Sequence, residues 1–138
     1  MAISSISELM KKIRPQLSKR KCYFALLQES RLMEAAALMG SIVCMHREKE
    51  GVSVVFYEDA KESFCALSSR EMHGPFALIT LAVDSDLLAV GFLAKITAAL
   101  AKEKISANAI SAYCHDYLLV PYGRKNDALS ALRRLSKE

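Results

Sequence analysis

Two short stretches hold the residues whose types and spacing invite chemistry. The first is Asp84-Ser85-Asp86, just ahead of a helical run that contains Gly91. A helix start offers up to four unpaired backbone N–H groups and the positive end of the helix dipole, so it can hold a carboxylate or another anion. A glycine at that place lets ligand or backbone come close. Two aspartates discourage a bare anion; they suit a zwitterion, whose ammonium needs an acidic partner. The plainer reading has Ser85 capping the helix while the aspartates favour its dipole. Spacing alone leaves both open.

The second stretch is Tyr113-Cys114-His115-Asp116-Tyr117. Cysteine beside histidine raises the thought of a nucleophile and its base. Neighbours in a strand point to opposite faces, however, so Cys114 and His115 should not meet, and no orienting third group is evident. His115 and Asp116 read first as turn residues, since aspartate readily bonds its own backbone, with a grip on a polar ligand as the sharper alternative. Asn108, polar at the start of a strand expected beneath the helix, either satisfies backbone groups or reaches a ligand beside the first loop. Gly-rich phosphate loops, H-x-x-x-H zinc spacing and G-x-S-x-G elbows are absent, and His46, His73 and His115 are scattered. No catalytic residue, metal ligand or cofactor is expected.

The elements that must position these residues follow from hydrophobic period. Residues 4–13 carry apolar positions at Ile6, Leu9, Met10 and Ile13, the stripe of an amphipathic helix, with Ser4 or Ser5 as cap, Glu8 completing a capping box, and Arg14-Pro15 as its stop. Lys11, Lys12 and Arg14 form a basic stripe that could touch acidic partners but reads first as a solvated face. Residues 22–28 (CYFALLQ) predict a strand, 30–39 are ambiguous, and SIVCMHRE and GVSVVFYE around Lys49-Glu50-Gly51 predict a hairpin. A short helix over 59–67 leads to SSREMHGP at 68–75, a boundary of serines, charges and Gly-Pro.

The second half reads more cleanly. A strand is expected over Phe76–Val83, then a helix over 86–104 that buries Ala89, Phe92, Leu93, Ile96 and Leu100. Strands over Ile105–Cys114 and Tyr117–Pro121 meet at His115-Asp116, and a last helix over 124–136 buries Ala128, Leu129, Leu132 and Leu135. This β-α-β-β-α order is that of a ferredoxin-like module short of its last strand. Each half has a leading strand and a later strand pair, so a structural duplication without a close sequence repeat is possible.

Composition bounds the function. The chain has 138 residues, 52% hydrophobic and 25% charged, which suits a folded core rather than disorder. The net charge of +4 comes from basic residues that look dispersed along the chain, solubility charge rather than a nucleic-acid surface. Cys22, Cys44, Cys65 and Cys114 include no C-x-x-C pair; three lie in apolar, strand-like runs, so reduced thiols and a cytoplasmic setting are expected. No signal peptide is read in MAISSISELMKKIRPQ, and no apolar run reaches the roughly 20 residues of a membrane span.

Three runs together carry a family likeness: Val90-Gly91-Phe92, Ile105-Ser106-Ala107-Asn108-Ala109-Ile110-Ser111-Ala112-Tyr113, and His115-Asp116-Tyr117-Leu118-Leu119-Val120. They resemble a family of small two-module ACT proteins, itself similar to CASTOR-type amino-acid sensors and to aspartokinase regulatory regions. The resemblance implies an α+β fold, a ferredoxin-like (ACT) pair with antiparallel sheets and helices on one face. It implies a degenerate N-terminal module over 1–72 and a C-terminal ACT module over 73–138. It also implies a non-enzymatic regulatory or sensor protein that binds a small molecule, usually an amino acid, at the first loop and helix start. Carried onto matching positions, the ligand-binding candidates are Asp84, Ser85, Leu88, Val90, Gly91 and Phe92, with Asn108, Ile110 and Asp116 from the facing strands. The expected partners are that effector and a second copy in a homodimer, with no nucleic acid and no membrane. The alternative is an ACT-fold assembly module that has lost its ligand.

Overall fold

A computed structural model describes residues 5–137. Their elements are α1 (Ile6–Lys12), β1 (Gln16–Leu27), α2 (Leu32–Ala36), β2 (Ile42–Glu48), β3 (Gly51–Tyr57), α3 (Lys61–Leu67), β4 (His73–Thr80), α4 (Phe92–Lys102), β5 (Asn108–Ser111), β6 (Asp116–Pro121) and α5 (Lys125–Leu135). The β-α-β-β-α order thus occurs twice after α1. The fold is α+β and ferredoxin-like, as expected.

Contacts divide the chain into two units. One is the continuous segment Arg20–Phe76; the other joins the described residues up to Lys19 to those from Ala77 onward. In the continuous unit the strand order is β2-β3-β1, antiparallel, with Phe24 opposite Val55 and Met45 opposite Val54. Alternate residues Tyr23, Ala25 and Leu27 of β1 and Val52, Val54 and Phe56 of β3 face Ala35 of α2 and Phe64 and Leu67 of α3. Period-two alternation puts these residues on one face of the sheet, and both helices cover that face. Phe56 stacks on Phe64 with ring centroids 4.3 Å apart.

In the discontinuous unit the order is β4-β6-β5, with β5 and β6 antiparallel. Ala77, Ile79 and Leu118, Val120 supply the sheet side of the core; Phe92, Ile96 and Leu100 of α4 and Ala128, Leu129 and Leu132 of α5 cover it. Leu9, Met10 and Ile13 join the same core. A seven-residue helix is marginal by itself, and burying these side chains contributes roughly 1.5–3 kcal/mol each, which holds α1 in place.

By contacts the apolar stripe of α1 joins the core of the second unit, while the second β-α-β-β-α copy starts at β4, His73. The Gly-Pro signal also falls inside an element: Gly74–Pro75, a cis peptide, lies near the start of β4. β1 begins at Gln16 rather than 22, its first half too polar to be read as a strand. The candidate cap Ser4 lies outside the described residues. Ser5 takes the N-cap position of α1 but makes no side-chain cap bond, so no capping box forms; only its carbonyl accepts, from Leu9 N–H at 3.0 Å.

Candidate functional site

The site is built where β4 and β6 hand over to their loops. Arg14 N–H donates to Leu81 O at 3.3 Å, and Leu81 N–H donates to Asp116 O at 3.0 Å, so the exit of β4 is pinned on both sides. The chain then runs through residues 82–91 before α4 begins. Inside this loop Asp86 organises a turn: its Oδ1 accepts Leu88 N–H at 2.8 Å and its carbonyl accepts Ala89 N–H at 2.9 Å.

Gly91 sets the start of α4. It occupies the N-cap position with φ 87° and ψ −3°, a left-handed conformation that glycine adopts without the clash other residues meet. The helix was expected from residue 86 with Ser85 as cap. It starts at Phe92 instead, because the left-handed Gly91 breaks the helical path and no side chain caps the end. The first intrahelical bond runs from Lys95 N–H to Gly91 O at 3.1 Å. Phe92, Leu93 and Ala94 therefore present N–H groups without intrahelical partners.

Ser85 has a different task. Its Oγ donates to Asp116 Oδ2 at 2.7 Å, and each residue is only 7% exposed. Asp116 is the first residue of β6 and stands opposite Ser111 of β5. The turn between those strands is closed by Ala112 N–H donating to His115 O at 3.0 Å. His115 Nδ1 lies 3.3 Å from Val83 O, a bond that places the proton on Nδ1. Cys114 is exposed in this turn, where a strand position was expected. With its ring nitrogen committed to a backbone carbonyl, His115 anchors the loop.

These pieces enclose a cavity of about 160 Å³. Ser85, Asp86 and Leu87 from the loop, Gly91 to Ala94 from the start of α4, and Ser111 and Asp116 from the hairpin are in its wall. The bare helix N-terminus and the buried Asp116–Ser85 pair both contribute to its wall, so the cavity carries groups of opposite polarity.

Of the nine candidates, Ser85, Gly91, Phe92 and Asp116 line this cavity. Asp84, Leu88 and Val90 belong to the same loop but turn outward; Leu88 is 85% and Val90 82% exposed. Asn108 and Ile110 pair with Leu119 and Tyr117, whereas Ser111 pairs with Asp116. Alternation therefore puts Asn108 and Ile110 on the sheet face opposite to Asp116, away from α4. Sequence reasoning left Ser111 and Asp86 out of the binding set. The hairpin register, which sets residue 111 against 116, was the signal that could have found Ser111.

Among the described residues no group of histidines, cysteines and carboxylates is placed to hold a metal, and no helix is long and apolar enough to cross a membrane.

Comparison with known proteins agrees with the fold. Residues 75–134 match the family described as the ACT domain. A Vibrio cholerae protein of unknown function, described as a possible transport protein, is 30% identical over 96% of this chain and 97% of its own, with a TM-score of 0.80. The regulatory subunit of aspartate kinase from Thermus thermophilus, in its ligand-free form, covers 88% of this chain and 95% of its own at 12% identity, with a TM-score of 0.69. The corresponding subunit from Thermus flavus covers 89% and 97% at 12% identity, with a TM-score of 0.65. At such identities the two Thermus subunits speak for the fold alone. No curated protein matches the chain.

Proposed function

Through residues 75–134 the chain belongs to the ACT-domain family, and on that premise we propose that it is a non-enzymatic regulatory protein whose effector is a small amino acid. The observation that carries this reading is the polarity of the 160 Å³ cavity. A ligand carboxylate suits the free N–H groups of Phe92, Leu93 and Ala94, where the helix dipole also favours negative charge. Its ammonium suits Asp116, with the Ser111 hydroxyl opposite. The volume equals about five water molecules at roughly 30 Å³ each, room for a small amino acid and little more. In this assignment Asp116 takes the role that the sequence offered to the two aspartates of the loop, Asp84 and Asp86.

Binding would act by favouring the conformation that closes residues 82–91 over the cavity, by as much as the ligand prefers that conformation over the open one. The ACT-domain match over residues 75–134 supports a regulatory reading. A homodimer is part of the proposal: β5 is a short strand that hydrogen-bonds to β6 on one side, and pairing of such edges between copies would cover them. A cytoplasmic setting rests on the four free cysteines.

The test is a thermal-shift screen against the twenty amino acids, followed by calorimetry on any hit. A ligand at 100 times its Kd adds about 2.7 kcal/mol, a shift of several degrees for a chain of this size. A hit that vanishes in Asp116→Asn supports the assignment. No shift with any amino acid overturns it and leaves the assembly-module alternative.

A further inference from the structure

The first and last helices bring together a second site that the sequence hides. Lys11 and Arg14, at and just after the end of α1, and Arg133 and Lys137, at and just after the end of α5, line one groove of about 470 Å³. Ile13, Pro15 and Ser136 complete it, and among the described residues no acidic one lines it. Along the chain these two pairs of cations are far apart, which is why the basic residues looked dispersed. Nineteen basic residues less these four leave fifteen, matching the fifteen acidic ones. The four cations thus equal the chain's entire excess of positive charge.

Two features set the groove apart from an ordinary solvated surface. Five of the six other arginines hold carboxylates: Arg20 with Asp59, Arg31 with Glu34, Arg47 with Glu29, Arg124 with Asp127 and Arg134 with Glu103; Arg70 is the exception among the described residues. Among the described residues, Arg14 and Arg133 have no carboxylate partner, although Arg134 beside the latter does. The groove is also organised in advance. Ile13 is 1% exposed, and Arg14 Nη1 donates to the carbonyls of Lys11 at 3.2 Å and Ile13 at 2.9 Å. These bonds satisfy the end of α1 and leave the remaining guanidinium donors free to turn into the groove. The negative ends of two helices call for some positive charge here, yet four cations exceed what two half-charges require.

We propose that this groove binds a diphosphate group. Two guanidinium forks and two ammonium groups match several phosphate oxygens at once. The volume is that of about fifteen waters at roughly 30 Å³ each, more than a single phosphate needs. The group could belong to free pyrophosphate or to a nucleoside diphosphate, and the experiment separates these sources.

Titration calorimetry of the full chain at low salt uses pyrophosphate, ADP, AMP, orthophosphate and a short DNA duplex. Pyrophosphate and ADP are expected to bind at least tenfold more tightly than orthophosphate and AMP. ADP stronger than pyrophosphate makes the nucleotide the source; the reverse makes it the free anion. Arg133→Ala and Lys11→Ala, both at exposed positions, should each weaken pyrophosphate at least fivefold, while Lys49→Ala in the β2–β3 turn leaves it unchanged. Circular dichroism checks that each variant is folded. The proposal is overturned by no heat with pyrophosphate at millimolar concentration, by equal affinity in Arg133→Ala, or by binding of the duplex alone.

Discussion

Ser85 and Asp116 are 31 positions apart in the chain, yet the serine hydroxyl donates a 2.7 Å bond to the aspartate, with both residues buried. That bond joins the loop before α4 to the first residue of β6. It fixes the loop without closing the helix end, which stays open to a ligand. A hydrogen bond to a charged group contributes about 1.5–3 kcal/mol. Ser85→Ala should therefore lower the stability of the protein by about that amount in urea titrations. In a double-mutant cycle with Asp116→Asn the two changes should cost less together than their sum, whereas additivity would mean that the contact carries no coupling.

The three aspartates near the cavity should behave differently. Asp116→Asn is expected to weaken an amino-acid effector more than tenfold by calorimetry, because the carboxyl sits in the wall. Asp84→Ala, at an exposed position, should change the affinity less than threefold. The opposite ranking would return the ammonium to the loop.

Asp86→Ala removes the acceptor for Leu88 N–H at a position that water still reaches. It should cost less than about 1 kcal/mol of stability, and a larger loss in urea titrations would show that this turn supports more of the fold than its exposed contacts indicate.

Gly91→Ala should destabilise the chain by about 1–2 kcal/mol, the cost of a side chain in the left-handed region. A Cβ there would stand 2.9 Å from Ile6 Cδ1, a side-chain tip that can shift, so backbone strain dominates the cost. Melting temperatures of Gly91→Ala and Gly91→Asn check the reason: asparagine, which tolerates this region, should lose less.

The four thiols should divide by reactivity. Cys65 and Cys114 are exposed, and Cys22 is buried. Burial pushes the Cys22 thiol up to about 11 from an ordinary value near 9 and also raises that of Cys44. A disulfide reagent at neutral pH should modify Cys65 and Cys114 first, with Cys22 reacting only on unfolding. The alkaline consequence has a definite sign. Cys22 keeps its proton more tightly when folded, so its contribution is complete below about pH 9 and is lost as pH rises toward 11. Cys22→Ala should flatten the fall in stability over that interval relative to the wild type.

Much of the fold was legible because period and burial agree. The stripes Phe92-Ile96-Leu100 and Ala128-Leu129-Leu132 are the buried faces of α4 and α5. The hairpin around Lys49-Glu50-Gly51 is β2 and β3. The site was less legible, for reasons that are local and then topological. A glycine's sign of φ is invisible in the sequence, so the start of α4 was read too early and Ser85 was made a cap. Strand boundaries displaced by a few residues were enough to hide which residues stand across from one another. Asn108 and Ile110 were grouped with Asp116 on the family resemblance, although the register turns them to the other face. The basic groove escaped because charge was read along the chain, while Lys11 and Arg133 meet only once it is folded.

The placement of α1 has a consequence for how the chain comes into being. As it is synthesised, Leu9, Met10 and Ile13 emerge long before Phe92, Ile96, Leu118 and Leu132, the residues whose core they enter. The continuous segment Arg20–Phe76 holds its own apolar cluster and can settle in the meantime. Until then α1 is an exposed amphipathic stripe on a nascent chain. Bringing the two distant parts of the cavity-bearing unit together carries a loop-closure entropy that the continuous segment does not bear.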